Sequence, residues 1–189
     1  MGVVTVFVAS ADEETKYREA LAGSEWADVT VVVACRGNAA VRDAMVQYYL
    51  ARTHHLVILD DDIEDVRWMP NEGEAALITP QCLPAGALDR LLSVSFAETI
   101  SLGFWLWGLN TSSNPAFLRA GCASHANGLV NGFFSGTITR PQVKGLCRAC
   151  GDCTEDVEWS LRHIQRDGGV LRWTMYMAAS ARQQRSDTV

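Results

Sequence analysis

The chain has 189 residues, of which 48% are hydrophobic, and it carries a formal net charge of -6. This length suffices for one well-packed domain and is too short for two of ordinary size, so we predict a single domain over residues 1–177 and a mobile polar tail over residues 178–189. The net charge argues against strong non-specific binding to nucleic acid, because such binding grows with the number of phosphates that Lys and Arg neutralise. Residues 140–189, with 8 basic and 6 acidic side chains, are the part that suits a polyanionic partner.

Strand and helix patterns alternate along the first seventy residues, with short connections between them. This alternation is typical of a parallel sheet with helices on its faces. The predicted strands of this part cover residues 3–9, 29–34 and 56–59, and the predicted helices cover residues 12–21 and 38–51. Further along we predict helices over 83–100 and 155–166, strands over 75–79, 129–138 and 170–177, and a strand or loop over 103–109. We therefore expect an α/β fold with a mostly parallel, Rossmann-like central sheet flanked by helices.

Two features of the sequence predict where the protein is located. The N-terminal run is strand-like and lacks the charged leader and cleavage site of a secretion signal, so we expect a cytoplasmic protein whose six cysteines are reduced thiols or metal ligands. The longest apolar stretch, residues 91–109, contains Glu98 and several hydroxyl side chains. We therefore predict that it does not span a membrane.

An acidic triplet, Asp60, Asp61 and Asp62, directly follows the third predicted strand. Three adjacent carboxylates repel one another, and a bound divalent cation offsets that repulsion. In an open α/β sheet the ligand lies beyond the carboxyl ends of the strands, so we expect Ser10, Arg36 and Asp60 to line one crevice. The competing interpretation of the triplet is a solvated acidic turn.

A second acidic pair, Glu155 and Asp156, opens the predicted helix over residues 155–166. The free amides and the dipole of a helix start stabilise an ionised carboxylate, which keeps it available as a base at neutral pH. Asp156 is our candidate base, and Glu155 is the alternative base or a group that binds an acceptor hydroxyl. The competing interpretation is that both residues only favour the start of the helix. His163, later on this helix, is predicted to face solvent.

The order of these features resembles the GT-A glycosyltransferases, which carry a DxD metal motif and a late ED motif. The features are Arg36-Gly37-Asn38 before a helix, a strand ending in the acidic triplet, and the second acidic pair much later. More narrowly, the chain resembles the TET-associated and base J-associated glycosyltransferases of phages and eukaryotic parasites, which transfer a sugar to a hydroxymethylated pyrimidine in DNA. The resemblance extends over nearly the whole chain in the order of its elements. The chain is short for a GT-A enzyme and offers no later metal-ligating His.

The resemblance implies a GT-A-like fold and a metal-dependent reaction with a nucleotide sugar, for which we expect a UDP-sugar. Asp60 and Asp62 would bind Mn²⁺ or Mg²⁺ at the donor phosphates. Asp60 would also lie near the ribose, and Asp61 would assist or remain outside the ligands of the metal. The implied partners are the nucleotide-sugar donor and modified DNA as acceptor, in the host cytoplasm if the protein is viral.

Further positions match the nucleotide side of such a site. Arg36 and Arg42 correspond to basic residues that face the nucleotide in this superfamily, and Ser10 would lie at the base of the donor. In an inverting reaction Asp156 would remove the proton of the acceptor hydroxyl. The competing interpretation of Arg42 is an ordinary surface arginine.

Cys147, Cys150 and Cys153 lie just before the second acidic pair, at a spacing that can bind structural Zn²⁺, with Cys122 or His125 as a further ligand. The competing interpretation is a set of buried thiols.

The sugar, the stereochemistry and the oligomeric state stay open at this point. Two alternatives to sugar transfer also stay open: a two-metal nucleotidyl or phosphoryl transferase, and a zinc-stapled nucleic-acid-binding module. The sequence contains no Gly-rich P-loop, which argues against the common kind of nucleoside-triphosphate hydrolysis.

Overall fold

The computed structural model describes residues 2–52, 55–70, 80–112, 114–119, 123–124, 128–140 and 154–180. Within these residues the chain forms an α/β fold of nine strands and four helices. The strands are β1 (Thr5–Val8), β2 (Thr30–Val33), β3 (His55–Leu59), β4 (Ile63–Trp68), β5 (Gln81–Cys82), β6 (Leu106–Asn110), β7 (Ala123–Ser124), β8 (Phe134–Ile138) and β9 (Leu171–Ser180). The helices are α1 (Ala11–Leu21), α2 (Asn38–Tyr49), α3 (Ala87–Ser101) and α4 (Glu155–Asp167).

The strands form two sheets. In the smaller one, β1 and β2 pair in parallel. The larger one has the strand order β3-β8-β6-β9-β4-β5, and β7 also pairs with β9. In this main sheet β8 is antiparallel to both β3 and β6, β6 and β9 are parallel, and β4 is antiparallel to β9. The α/β class is therefore confirmed, whereas the main sheet is mixed and the prediction of a mostly parallel sheet is not confirmed.

Two hydrophobic clusters cover opposite faces of the main sheet. On one face, Phe96 of α3 packs with Trp107 of β6. On the other face, Val46 of α2 and Trp159 of α4 belong to the cluster that contains Leu106. Leu106 and Trp107 are neighbours in β6, and successive side chains of a strand point to opposite faces. The sheet is thus a middle layer between α3 on one side and α2 and α4 on the other.

The predicted elements agree with the structure in type more closely than in their ends. The five strands predicted over residues 3–9, 29–34, 56–59, 129–138 and 170–177 correspond to β1, β2, β3, β8 and β9, and residues 103–109 contain most of β6. β9 continues through Ser180, three residues into the predicted tail. The strand predicted over residues 75–79 lies outside the described residues. No helix in the described part of the chain is long and apolar enough to cross a membrane.

The C-terminal end of α4 holds a buried network of charged side chains. His163 is fully buried, so the prediction that it faces solvent was wrong; it lies one turn after Trp159, and the two rings pack edge to face. Its Nδ1 lies 2.9 Å from a carboxylate oxygen of Asp167, and Arg140 donates to the other oxygen. Burial lowers the pKa of His163. Burial raises the pKa of Asp167, but the hydrogen bonds of His163 and Arg140 outweigh it and bring this pKa to about 2.

This network predicts a loss of stability in mild acid. The unfolded chain accepts a proton at His163 near its usual pKa of 6.5, whereas the folded chain resists that proton, so the free energy of unfolding falls as the pH drops below that value. We expect His163→Gln to reduce this slope between pH 7 and 5 by up to about 1.4 kcal/mol per pH unit, measured by urea denaturation. The matched variant Leu161→Gln, at an exposed residue of α4, changes no titratable group and should keep the wild-type slope. An unchanged slope in His163→Gln would contradict the prediction.

Candidate functional site

The acidic triplet lies in a tight turn between β3 and β4, at the carboxyl end of β3. The backbone amide of Asp60 donates to the carbonyl of Phe133 at 3.0 Å, and the amide of Ile63 donates to the carbonyl of Asp60 at 3.4 Å. Asp61 and Asp62 are the central residues of this turn. The triplet therefore lies at a strand end, as its position after an apolar run predicted.

A buried arginine joins the triplet to the second acidic pair. The side chain of Arg42 on α2 is only 7% exposed. Its Nη2 donates to both carboxylate oxygens of Asp60, at 2.9 and 3.1 Å. Its Nη1 donates to Oε1 of Glu155, the first residue of α4, which is equally buried. Residues of α2, of α4 and of the turn that follows β3 thus meet through one guanidinium group.

The backbone around Arg42 is shaped to admit this guanidinium. Gly132 lies in the loop before β8, and a Cβ atom at this position would lie 2.2 Å from Nη1 of Arg42. Two residues earlier, the amide of Val130 donates to the hydroxyl of Ser160 on α4 at 2.8 Å. The loop is therefore held against α4, and the absence of a side chain at Gly132 leaves room for the arginine.

The start of α4 separates the two acidic residues that the sequence singled out. Glu155 is buried and faces Arg42, whereas Asp156 is partly exposed and its Oδ1 accepts from the amide of Val157 at 2.8 Å. Asp156 is therefore the member of the pair that is accessible to a substrate. The carboxylate of Glu155 holds Arg42 in place. This geometry does not support Glu155 as the alternative base, and that role stays a prediction.

One residue of the site was missed by the sequence reasoning. The hydroxyl of Tyr17 on α1 donates to Oδ2 of Asp61, the central carboxylate of the triplet. The hydrogen bond to Asp61 is the main reason why the pKa of Tyr17 is raised to about 12, with contributions from burial and from the charges of Asp61 and Glu13. The phenol therefore remains protonated, and able to donate, throughout the neutral pH range.

The two remaining predicted donor-site residues have different surroundings. Ser10 is the N-cap of α1, and its side chain accepts from the amide of Glu13 at 3.3 Å. Arg36 is exposed after β2, in the connection to α2, and has no hydrogen bond or ion pair to the residues that the structure describes. Ser10 and Arg36 follow the ends of two paired parallel strands, so they lie at one edge of the small sheet. Contact of either residue with a nucleotide stays a prediction.

The oxygen ligands of the acidic turn suit Mg²⁺ or Mn²⁺ when the ion is bound together with phosphates. Such ions commonly use one or two carboxylates and complete their coordination with substrate phosphates and water. Within the described part of the chain no three His, Cys, Asp or Glu side chains are grouped closely enough to hold a metal ion. An ion at this turn that is shared with a donor stays a prediction. Both carboxylate oxygens of Asp60 accept hydrogen bonds from Arg42 in this arrangement. Binding of a metal ion by Asp60 together with Asp62 stays a prediction.

The cysteine cluster proposed for zinc lies outside the described residues. Cys147, Cys150 and Cys153 belong to residues 141–153, and the further candidates Cys122 and His125 are likewise not described. Structural Zn²⁺ therefore stays a prediction.

Comparisons with known proteins add no identification. No protein-family model, curated protein or solved structure matches this chain. The residues of the site and the family resemblance of its motifs are therefore what indicate a function.

Proposed function

We propose that this chain is a metal-dependent glycosyltransferase that moves a sugar from a nucleotide-diphosphate donor, for which we expect a UDP-sugar, to a hydroxyl acceptor. The observation that carries the proposal is the contact of Asp60 and Glu155 with the same buried Arg42. It brings the first residue of each acidic motif to one point at the carboxyl end of β3. Asp62 and Asp156 follow these residues closely along the chain, so a donor at the triplet and an acceptor at the start of α4 would be neighbours.

The same contact favours sugar transfer over the two-metal alternative. In two-metal sites the ions lie about 3.5–4 Å apart and share carboxylate ligands from the surrounding protein. Here the cation between the carboxylates of Asp60 and Glu155 is the guanidinium of Arg42. A pair of metal ions between the two motifs would have to displace this buried side chain, whereas one ion on the exposed side of the turn would not.

Each residue has a defined part in the proposed reaction. A divalent cation bound with the donor would stabilise the charge that develops on the departing diphosphate, and Asp62 would be the residue that holds it. Arg42 keeps Asp60 and the turn in place. Asp156 accepts the proton of the acceptor hydroxyl as its oxygen attacks the anomeric carbon. The bond between that carbon and the diphosphate oxygen breaks at the same time, which inverts the configuration.

The family resemblance implies a GT-A-like arrangement and a hydroxymethylated pyrimidine in DNA as the acceptor. The excess of basic residues over residues 140–189 is consistent with a DNA acceptor. A zinc-stapled binding module has no observation in the described residues to favour it.

Asp62→Ala tests the donor site. We expect this variant to lose at least about 10–100-fold in affinity for UDP in the presence of Mn²⁺, because it removes the carboxylate that holds the ion, and losing even a partner that only orients a metal ligand typically costs that much. Isothermal titration calorimetry measures the effect. Glu98→Ala, at an acidic residue in the last turn of α3, is the matched control and should bind UDP like the wild type. Equal affinity in Asp62→Ala and Glu98→Ala would overturn the proposal.

A further inference from the structure

A hydrogen bond ties α1 to the acidic turn. Tyr17 is partly buried, its hydroxyl donates to Asp61, and Asp61 is exposed. The contact joins residues that are 44 positions apart, so it links two separate segments of the chain. A hydrogen bond to a charged acceptor is stronger than one between neutral groups. The contact therefore restricts the carboxylate of Asp61 to one orientation.

Tyr17 belongs to a face of α1 that is anchored at the sheet edge. Ser10, Glu13 and Tyr17 recur at spacings of three and four residues and so lie on one face of the helix. Besides the cap formed by Ser10, a carboxylate oxygen of Glu13 accepts from the amide of Ala9, directly after β1, at 2.8 Å. This face is therefore bound to the end of β1 through Glu13 and to the acidic turn through Tyr17, about one turn later.

We propose that Tyr17 is a positioning residue of the nucleotide-sugar site, which sets the geometry of the acidic turn by holding Asp61 against α1. The inference rests on the proposed function. Asp60 is fixed from the interior by Arg42 on α2, and Asp61 is fixed from the surface by Tyr17 on α1. Two successive carboxylates are thus held by two different helices. This arrangement keeps the turn in one conformation before the donor and its cation arrive.

The inference predicts a specific defect when the phenol hydroxyl is removed. Tyr17→Phe keeps the ring and releases Asp61, so the turn samples other conformations and the donor must order it on binding. We expect the affinity for UDP with Mn²⁺ to fall roughly tenfold, the effect of losing one exposed hydrogen bond to a charged group. Thermal stability should stay near the wild-type value, because the contact lies at the surface.

The experiment combines two measurements on the full chain. Hydrogen exchange, followed by mass spectrometry, reports the opening of the acidic turn without any ligand. Calorimetric titration with UDP and Mn²⁺ reports its effect on binding. Tyr49→Phe is the matched control, because it removes a tyrosine hydroxyl on α2 that bonds Thr5 instead of the triplet. The double variant Tyr17→Phe with Asp61→Ala shows whether the two residues act together.

The inference predicts faster exchange at the turn and weaker UDP binding in Tyr17→Phe alone, with no further loss when Tyr17→Phe is added to Asp61→Ala. Unchanged exchange at the turn would overturn it. So would wild-type UDP affinity in Tyr17→Phe, or additive losses in the double variant. If the wild-type protein binds no nucleotide, both the proposed function and this inference fail. If the wild type binds UDP normally and only the Tyr17 results disagree, the inference alone fails.

Discussion

Replacing Arg42 by methionine is expected to lower the free energy of unfolding by about 3–5 kcal/mol, because it leaves the buried carboxylate of Glu155 without its cation. The variant should also lose metal-dependent UDP binding, since Asp60 is no longer held at the end of β3. Urea denaturation measures the first effect and calorimetry the second. Of the substitutions considered, this one affects both the fold and the site most strongly.

Two further variants test whether the unpaired carboxylate of Glu155 causes the loss of stability in Arg42→Met. Arg52→Met removes an exposed arginine that follows α2 and should change stability by less than about 1 kcal/mol. Adding Glu155→Gln to Arg42→Met removes the uncompensated carboxylate and should restore part of the lost stability. A double variant as unstable as the sum of both single variants would contradict this explanation.

Replacing Asp156 by asparagine is expected to lower kcat for sugar transfer by about 10²–10⁴-fold, the usual effect of removing a general base. Asparagine keeps the shape of the side chain and cannot accept the proton of the acceptor hydroxyl. Affinity for UDP with Mn²⁺ should not change, because the side chain acts on the acceptor. The assay follows the release of UDP from a UDP-sugar in the presence of hydroxymethylated DNA.

Glu158→Gln is the matched control for this prediction. Glu158 lies in the same first turn of α4 as Asp156, and its carboxylate pairs with Arg162. This variant should keep a kcat near the wild-type value. If Asp156→Asn retained full kcat, or if both variants lost activity equally, Asp156 would not be the base.

The elements that carry the acidic residues could be predicted from the sequence because their boundaries are abrupt. β3 is an apolar run that stops at Asp60, and α4 begins at Glu155 and ends before Gly168, whose φ of 81° suits a glycine. The mixed character of the main sheet could not be predicted in the same way. β4 (Ile63–Trp68) has three charged residues among its six and lacks the apolar run of a buried strand.

Helix periodicity accounts for two further features. Arg42 lies four residues before the buried Val46, so it belongs to the buried face of α2 and is not an ordinary surface arginine, while its contact with a nucleotide stays a prediction. His163 lies four residues after the buried Trp159 in the same way. The contact between Tyr17 and Asp61 has no such local signal, because it depends on how α1 packs near the end of β3.

In the proposed function, the acidic turn binds a nucleotide diphosphate through a divalent cation. Calorimetric titration of the wild-type protein with UDP and UDP-sugars in Mn²⁺ measures this binding, and the titration is repeated in EDTA and in competition with a non-hydrolysable nucleoside triphosphate. We expect saturable binding of UDP and a UDP-sugar that disappears in EDTA and is not displaced preferentially by the triphosphate. If the folded protein bound no nucleotide diphosphate, or bound it equally well in EDTA, the proposed function would be wrong.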